Sequence, residues 1–212
     1  MRPGGPSLDE VVARARGLIA TGERRILGIT GPPGAGKSTL AELLVARLGR
    51  EAVIVPMDGF HLAGRELDRL GLADRKGAPE TFDGAGFVAL LRRLREARGE
   101  VVYAPEFRRE IEEPIAGAIP VPGDVPLVVT EGNYLLLDRA PWAGVRALLD
   151  EVWFVAPPEE ERLAWLTARH ALHGKDPEAA FRWARGPDQA NAVLVAATRA
   201  RADLVLGPPV VG

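Results

Sequence analysis

Five short apolar runs punctuate the chain: Arg25-Ile26-Leu27-Gly28-Ile29-Thr30, Glu51 to Asp58, Pro126 to Gly132, Glu151 to Ala156 and Ala202 to Leu206. Each has strand length and is too continuously apolar to keep one face wet, the pattern of strands buried on both sides of a parallel sheet. Between them the spacing becomes helical. Val11, Val12, Ala15, Leu18 and Ile19 recur on one face behind Ser7-Leu8-Asp9-Glu10, which has capping-box spacing. Leu40 to Leu48 reads as a second helix. Phe87, Leu90, Leu91 and Leu94 form a stripe opposite Arg92, Arg93, Arg95 and Glu96, with Asp83 placed to cap it. A short helix is predicted over 142–149. A longer one opens at Pro158 with Glu159, Glu160 and Glu161 where the helix dipole favours acids. Two more follow over 177–185 and 188–202. Strands that alternate with helices in this way predict an α/β fold.

Two stretches leave that rhythm. Residues 59–83 are polar and rich in turn formers, and a long irregular segment within an α/β chain is usually functional or disordered; Arg75-Lys76-Gly77 before Glu80-Thr81-Phe82-Asp83 points to an ordered substrate loop. From Val101 to Val121 short β-like pieces are broken by Pro105, Pro114, Gly117 and Pro120, which predicts a small antiparallel excursion carrying Tyr103, Phe107, Arg108 and Arg109.

The chemistry concentrates where strands end. Gly31-Pro32-Pro33-Gly34-Ala35-Gly36-Lys37-Ser38-Thr39 follows the first apolar run and leads into a helix, the context that a G-x-x-x-x-G-K-[ST] phosphate loop requires. Glycines let successive N–H groups turn inward at a polyphosphate, and the helix adds its positive end. Lys37 is then expected to reach the β- and γ-phosphates and the Ser38 hydroxyl to bind Mg²⁺. The second and third runs each end in an acid, Asp58 and Glu131, beyond the carboxyl ends of strands, where ligands bind in open α/β sheets. Glu131 is the candidate second nucleotide-site acid, near the metal directly or through water. Arg162 and Arg169 are seven apart on one helix, near one face, and His170, His173 and Lys175 extend the positive patch; a lid that swings cations over phosphates is the functional reading.

Composition narrows the partners. The chain has 212 residues and a formal net charge of −2, so nothing draws it globally to nucleic acid or an anionic membrane. No apolar run approaches the ~20 residues of a membrane span, and the opening six residues lack a signal-peptide core, which favours the cytoplasm. Cysteine is absent, and His61, His170 and His173 do not make a zinc set. Lysine is rare, occurring only as Lys37, Lys76 and Lys175, each in a segment read as handling phosphate or substrate. The expected partner is a small molecule, with a homodimer left open.

Pro56-Met57-Asp58-Gly59-Phe60-His61-Leu62, Arg75 to Asp83, Tyr103-Ala104-Pro105-Glu106-Phe107 and Glu131-Gly132-Asn133-Tyr134 resemble, in order and over about residues 25–205, the phosphoribulokinase/uridine kinase/pantothenate kinase group. The resemblance implies a P-loop NTPase three-layer sandwich: a five-stranded parallel sheet, the small β excursion and a helical lid over about 158–186, all in one domain spanning 1–212. It also implies a kinase that uses ATP and Mg²⁺ to phosphorylate an alcohol on a small metabolite. By the same resemblance Asp58 takes the hydroxyl proton and approaches the metal, Glu131 lies near Mg²⁺ beside Ser38, and Arg162 and Arg169 stabilise the transferring phosphoryl group. His61, Arg75, Lys76, Asp83, Tyr103, Phe107, Arg109 and Tyr134 are its substrate-pocket candidates. Around Phe107 the chain reads Arg108-Arg109-Glu110, where well-defined members carry Asp-x-x-x-x-x-Arg or Ser-His. The acceptor therefore stays open between a nucleoside such as uridine, pantothenate and a sugar. A GTPase would want an Asn-Lys-x-Asp guanine reader, a metallochaperone Cys/His clusters and a transport ATPase Leu-Ser-Gly-Gly; none occurs, which leaves a non-catalytic nucleotide binder as the reading from another class.

Overall fold

In the computed structural model, which describes residues 6–172, 174 and 176–208, the apolar runs assemble side by side. Strands β1 (Arg25–Thr30), β2 (Ala52–Pro56), β5 (Leu127–Gly132), β6 (Glu151–Val155) and β7 (Leu204–Leu206) form one sheet in the order β2-β5-β1-β6-β7. Every pairing in it is parallel. The continuous hydrophobicity of the central strands follows from this, because successive side chains enter different cores. Leu27, Ile29, Leu127 and Val129 pack under helices α1 (Leu8–Ile19) and α2 (Lys37–Leu48). Ile26, Val128, Val152 and Phe154 pack on the opposite face with α4 (Gly84–Glu96) and the buried run Tyr134 to Leu137. The result is the three-layer sandwich.

Two-residue accuracy at strand ends matters here because the ends carry the chemistry. The second run stops being strand at Pro56, and Met57–Phe60 curls into a 3-10 turn, so Asp58 is presented by a turn instead of a strand tip. Ser7 forms the capping box with Glu10, as its spacing predicts. The predicted helix over 142–149 is instead two 3-10 turns, Trp142–Gly144 and Arg146–Leu148. Glycine and β-branched Val145 weaken so short an α-segment. The helix expected over 188–202 divides into α7 (Pro187–Ala196) and a 3-10 turn at Arg199–Arg201, and the last strand begins at Leu204 instead of Ala202. Within the irregular 59–83 segment lies an unforeseen helix, α3 (Gly64–Leu70), whose one buried side chain, Leu67, gives no periodicity to read.

The excursion is a two-stranded antiparallel ribbon, β3 (Val102–Arg108) and β4 (Glu113–Val121), with an irregularity between Ala104 and Glu106. It sits against the turn that carries Asp58: a Cβ on Gly59 would lie 2.3 Å from the Pro105 carbonyl oxygen. Helices α5 (Glu159–Leu172) and α6 (Pro177–Arg185), with α7, cover the other side of the strand ends. His173 and Lys175 lie outside the described residues. Among the described residues no helix is long and apolar enough to cross a membrane.

Candidate active site

The loop between β1 and α2 is shaped by close contact as much as by its own glycines. Gly34 adopts φ +79°, and a Cβ there would meet the Leu166 Cβ at 2.9 Å and the Arg162 carbonyl oxygen at 3.1 Å. At Gly31 an added Cβ would lie 2.5 Å from the Val155 oxygen. Only glycine fits against the lid helix and the neighbouring strand at these two points. Helix α2 starts at Lys37 with no side-chain cap, which leaves its first N–H groups to face the loop.

Lys37 is buried, and its ammonium donates to the Pro32 carbonyl oxygen at 3.1 Å. Burial lowers its pKa to about 8, opposed by Glu131 and Asp58. The Ser38 hydroxyl donates to Glu131 Oε1 at 3.2 Å. Burial, reinforced by Asp58 and opposed by Lys37, pushes the Glu131 carboxyl up to about 7. An ammonium with a single carbonyl partner among the described residues and two carboxylates near a hydroxyl form a site that an external phosphate and cation would complete. The donor set thus fits Mg²⁺ at Ser38, Asp58 and Glu131, and a triphosphate along 31–39.

The raised Glu131 pKa has a measurable consequence. Below its unfolded value of 4.5 the carboxyl is neutral in both states, so folding does not feel it. Between that value and about 7 the unfolded chain ionises while the fold holds the proton, and stability falls as pH rises. Glu131→Gln, which cannot ionise, is therefore expected to melt several degrees above wild type at pH 8 and within about a degree of it at pH 4.5, at ~2–4 °C per kcal/mol. Thermal unfolding of ligand-free protein checks this; equal offsets at the two pH values would contradict it.

The two lid arginines have different environments. Arg162 is 1% exposed and turned into the protein. Its Nη1 donates to the Pro33 carbonyl oxygen at 2.9 Å, Nε and Nη2 bind Glu159 at 3.0 and 2.8 Å, and Nη2 also contacts Gln189. It braces the phosphate loop, with four of its five N–H groups given to main chain and neighbours, and it is not among the residues lining the cleft. Arg169, two turns further along, lines the cleft instead, and its guanidinium has no hydrogen bond or ion pair to another described residue. Although the residue is exposed, the surrounding protein partly desolvates its guanidinium and lowers its pKa, and Arg109 adds to the effect. Next to it His170 meets Asp188 of α7 at 2.6 Å.

Between the phosphate loop, the Asp58 turn, the 73–82 loop, the ribbon and α5–α7 lies a cleft of about 410 Å³. It gathers Lys37, Ser38, Asp58, Glu131 and Arg169 with the acceptor candidates His61, Lys76, Phe107 and Arg109. His61 lies between Phe82 and Phe107, ring centroids 4.0 and 4.6 Å away, and its Nδ1 is 2.8 Å from the Asp58 carbonyl oxygen. Burial lowers its pKa, and a carbonyl can only accept, so the ring is neutral with Nδ1 protonated. Lys76 donates to the Glu112 carbonyl and carboxylate at 2.8 and 3.0 Å, tying the 73–82 loop to the ribbon tip. Arg109 Nη2 stands 3.6 Å from Asp58 Oδ2.

Four acceptor candidates do other work. Arg75 pairs with Glu80 away from the cleft, and Asp83 accepts from the Gly86 N–H at 2.8 Å as the cap of α4. Tyr103 is 58% exposed on the ribbon. Tyr134 is buried, its hydroxyl donating to the Gly77 carbonyl. In their place the cleft takes Phe82, Glu112, Asn133, Trp183 and Asp188. Asn133 lies directly after the strand-end Glu131-Gly132, a signal that was available. Glu112 reaches the cleft from a left-handed backbone at φ +56°, and Asp188 from the first turn of a helix, where an acid reads as ordinary dipole compensation.

Sheet order, glycine loop, buried lysine and paired acids define the P-loop kinase class. The chain belongs to the phosphoribulokinase/uridine kinase family, whose model matches residues 26–206. A "putative uridine kinase" of Schizosaccharomyces pombe is 34% identical across 94% of this chain and 90% of its own length. The pantothenate kinase of Rhodococcus erythropolis is 30% identical across 88% of this chain and 66% of its own. The crystal structure of a "putative fructose transport system kinase" from Silicibacter sp. TM1040 superposes with a TM-score of 0.86, at 38% identity, over 95% of this chain and 99% of that one.

Proposed function

We propose that this protein, as a single kinase domain with its lid over about 158–186, transfers the γ-phosphoryl group of ATP to a hydroxyl of a small metabolite. The observation that carries the reading is the convergence of Lys37, Ser38, Glu131 and Asp58 at one end of a cleft that Arg169 overlooks from α5. Residues 31–39 would hold the triphosphate, and Ser38, Asp58 and Glu131 would hold Mg²⁺, which would supply charge neutralisation there. Asp58 accepts the hydroxyl proton as the acceptor oxygen bonds to the γ-phosphorus and the bond to the ADP oxygen breaks. Lys37 and Arg169 offset the charge that spreads over the transferring group.

For the acceptor, a nucleoside of the uridine kind is the first choice. His61 and Phe107 offer ring surface on which a base can stack, and a relative carries that activity in its name. A sugar or pantothenate is the second, favoured by the hydrogen-bonding groups of Lys76, Arg109, Asn133 and Asp188 in the same chamber and by the names of two other similar proteins. Measuring ADP release from Mg-ATP with uridine, cytidine, pantothenate, fructose and ribulose 5-phosphate is expected to show release that depends on one acceptor class. Acceptor-independent hydrolysis of GTP would favour a GTPase, and nucleotide binding without any turnover a binding module.

A further inference from the structure

The first two turns of α7 touch both halves of the cleft. Gln189 contacts Arg162, whose guanidinium holds the Pro33 carbonyl of the phosphate loop, and also donates to Glu159 at 2.8 Å. Asp188 meets His170, the neighbour of Arg169, at 2.6 Å. Asn191, one turn on and on the Asp188 face, leaves the lid altogether: its amide Nδ2 donates to the Gly77 carbonyl oxygen at 3.2 Å. Gln189 and Asn191 are about 200° apart around the helix, so α7 is held on one side by the phosphate-loop brace and on the other by the acceptor loop.

Gly77 is well placed to respond. Its carbonyl takes two donors, which fills both lone pairs, and they come from different bodies: Tyr134, buried beyond the end of β5, and Asn191 on α7. Gly77 has φ +98° with nothing within 4 Å of an added Cβ, and its own N–H donates to Thr81 Oγ1 at 3.0 Å. A glycine whose flanking peptides can pivot is thus pinned at three points, and only one of them comes from α7. Lys76 and Gly77 both line the acceptor chamber.

We infer that Asn191 is a positioning residue for phosphoryl transfer: through it α7 transmits nucleotide occupancy of the phosphate loop to the acceptor wall at Lys76–Gly77. The inference rests on the kinase reading above. Ligand that fixes the Pro33 main chain fixes Arg162, then Gln189 and α7, and the Asn191 amide then holds the Gly77 carbonyl, so the acceptor wall is ordered once the donor nucleotide is in place. Such coupling is worth ~5–150-fold between sites.

Hydrogen exchange of the 73–82 segment, with and without Mg²⁺ and the non-hydrolysable β,γ-imido analogue of ATP, reads the relay without needing the acceptor. In wild type the analogue is expected to slow exchange there at least ~5-fold. In Asn191→Leu that protection is expected to vanish while calorimetric affinity for the analogue stays within about threefold. Asn191→Gln, which keeps an amide donor, should recover part of it, and Tyr134→Phe should retain it, because the severed anchor is not the one on α7. Where the leucine variant does not fold, Asn191→Ser replaces it. Protection that survives loss of the Asn191 donor, or is missing in wild type although the analogue binds, overturns the relay alone. An analogue that does not bind wild type overturns the relay and the kinase reading together, and calorimetry tells the two failures apart.

Discussion

Asp58→Asn is expected to lower turnover by ~10²–10⁴ while leaving affinity for an ATP analogue nearly unchanged. The substitution keeps the shape of the side chain and its place on the 57–60 turn, and removes its negative charge and with it the capacity to take a proton. Two neighbours sharpen the expectation. Arg109, at 3.6 Å, keeps a positive charge beside the carboxylate, whose own charge opposes ionisation of Glu131. The measurement is kcat with the best acceptor from the ADP-release screen, alongside calorimetric titration with the analogue. Turnover within a few-fold of wild type would remove Asp58 as the base, since alignment and charge neutralisation alone would then account for the rate.

The second large effect separates the two lid arginines. Arg162→Ala withdraws a buried guanidinium from the Pro33 carbonyl, Glu159 and Gln189, leaving a cavity and orphaned acceptors behind the phosphate loop. A melting temperature lower by roughly 5–10 °C and nucleotide affinity weaker by about tenfold are expected, from a cost of about 2–3 kcal/mol in a domain of this size. Arg169→Ala should do the reverse. With no hydrogen bond or ion pair to lose among the described residues, it is expected to melt within about 2 °C of wild type and to lose ~10²–10³ in kcat, the scale for removing one donor from a developing charge. A kcat unchanged in Arg169→Ala would make that side chain a bystander. Equal losses of stability in both variants would mean that both are structural.

The phosphate half of the site was legible in the sequence because it is local. A strand, nine consecutive residues and a helix fix Lys37 and Ser38 relative to one another, and the apolar runs that end in Asp58 and Glu131 announce their own termini. The acceptor half was legible only through family resemblance, and partly. It is assembled from the 73–82 loop, the ribbon and α7, far apart in the chain, and which side chains face inward depends on local twists that composition does not encode. Asp83 carried two readings in the sequence, cap of α4 and pocket residue, and the structure shows its carboxylate in the first. Arg162 and Arg169 show the same limit on a finer scale. Spacing of seven puts both near one face of a helix, but contacts along α5 decide that Arg162 reaches the Pro33 carbonyl while Arg169 lines the cleft.

The two-stranded ribbon stands outside the main sheet, its pairing complete within itself; its base packs Val102, Ala104 and Val121 into the core, while its outer part meets the Asp58 turn and the 73–82 loop. Substitutions at the outer part, at Phe107 or Arg109, therefore leave the strand order, the glycine loop and the buried lysine untouched. Under the proposed kinase reading, drift at that end would adjust the acceptor chamber while the donor machinery is inherited intact.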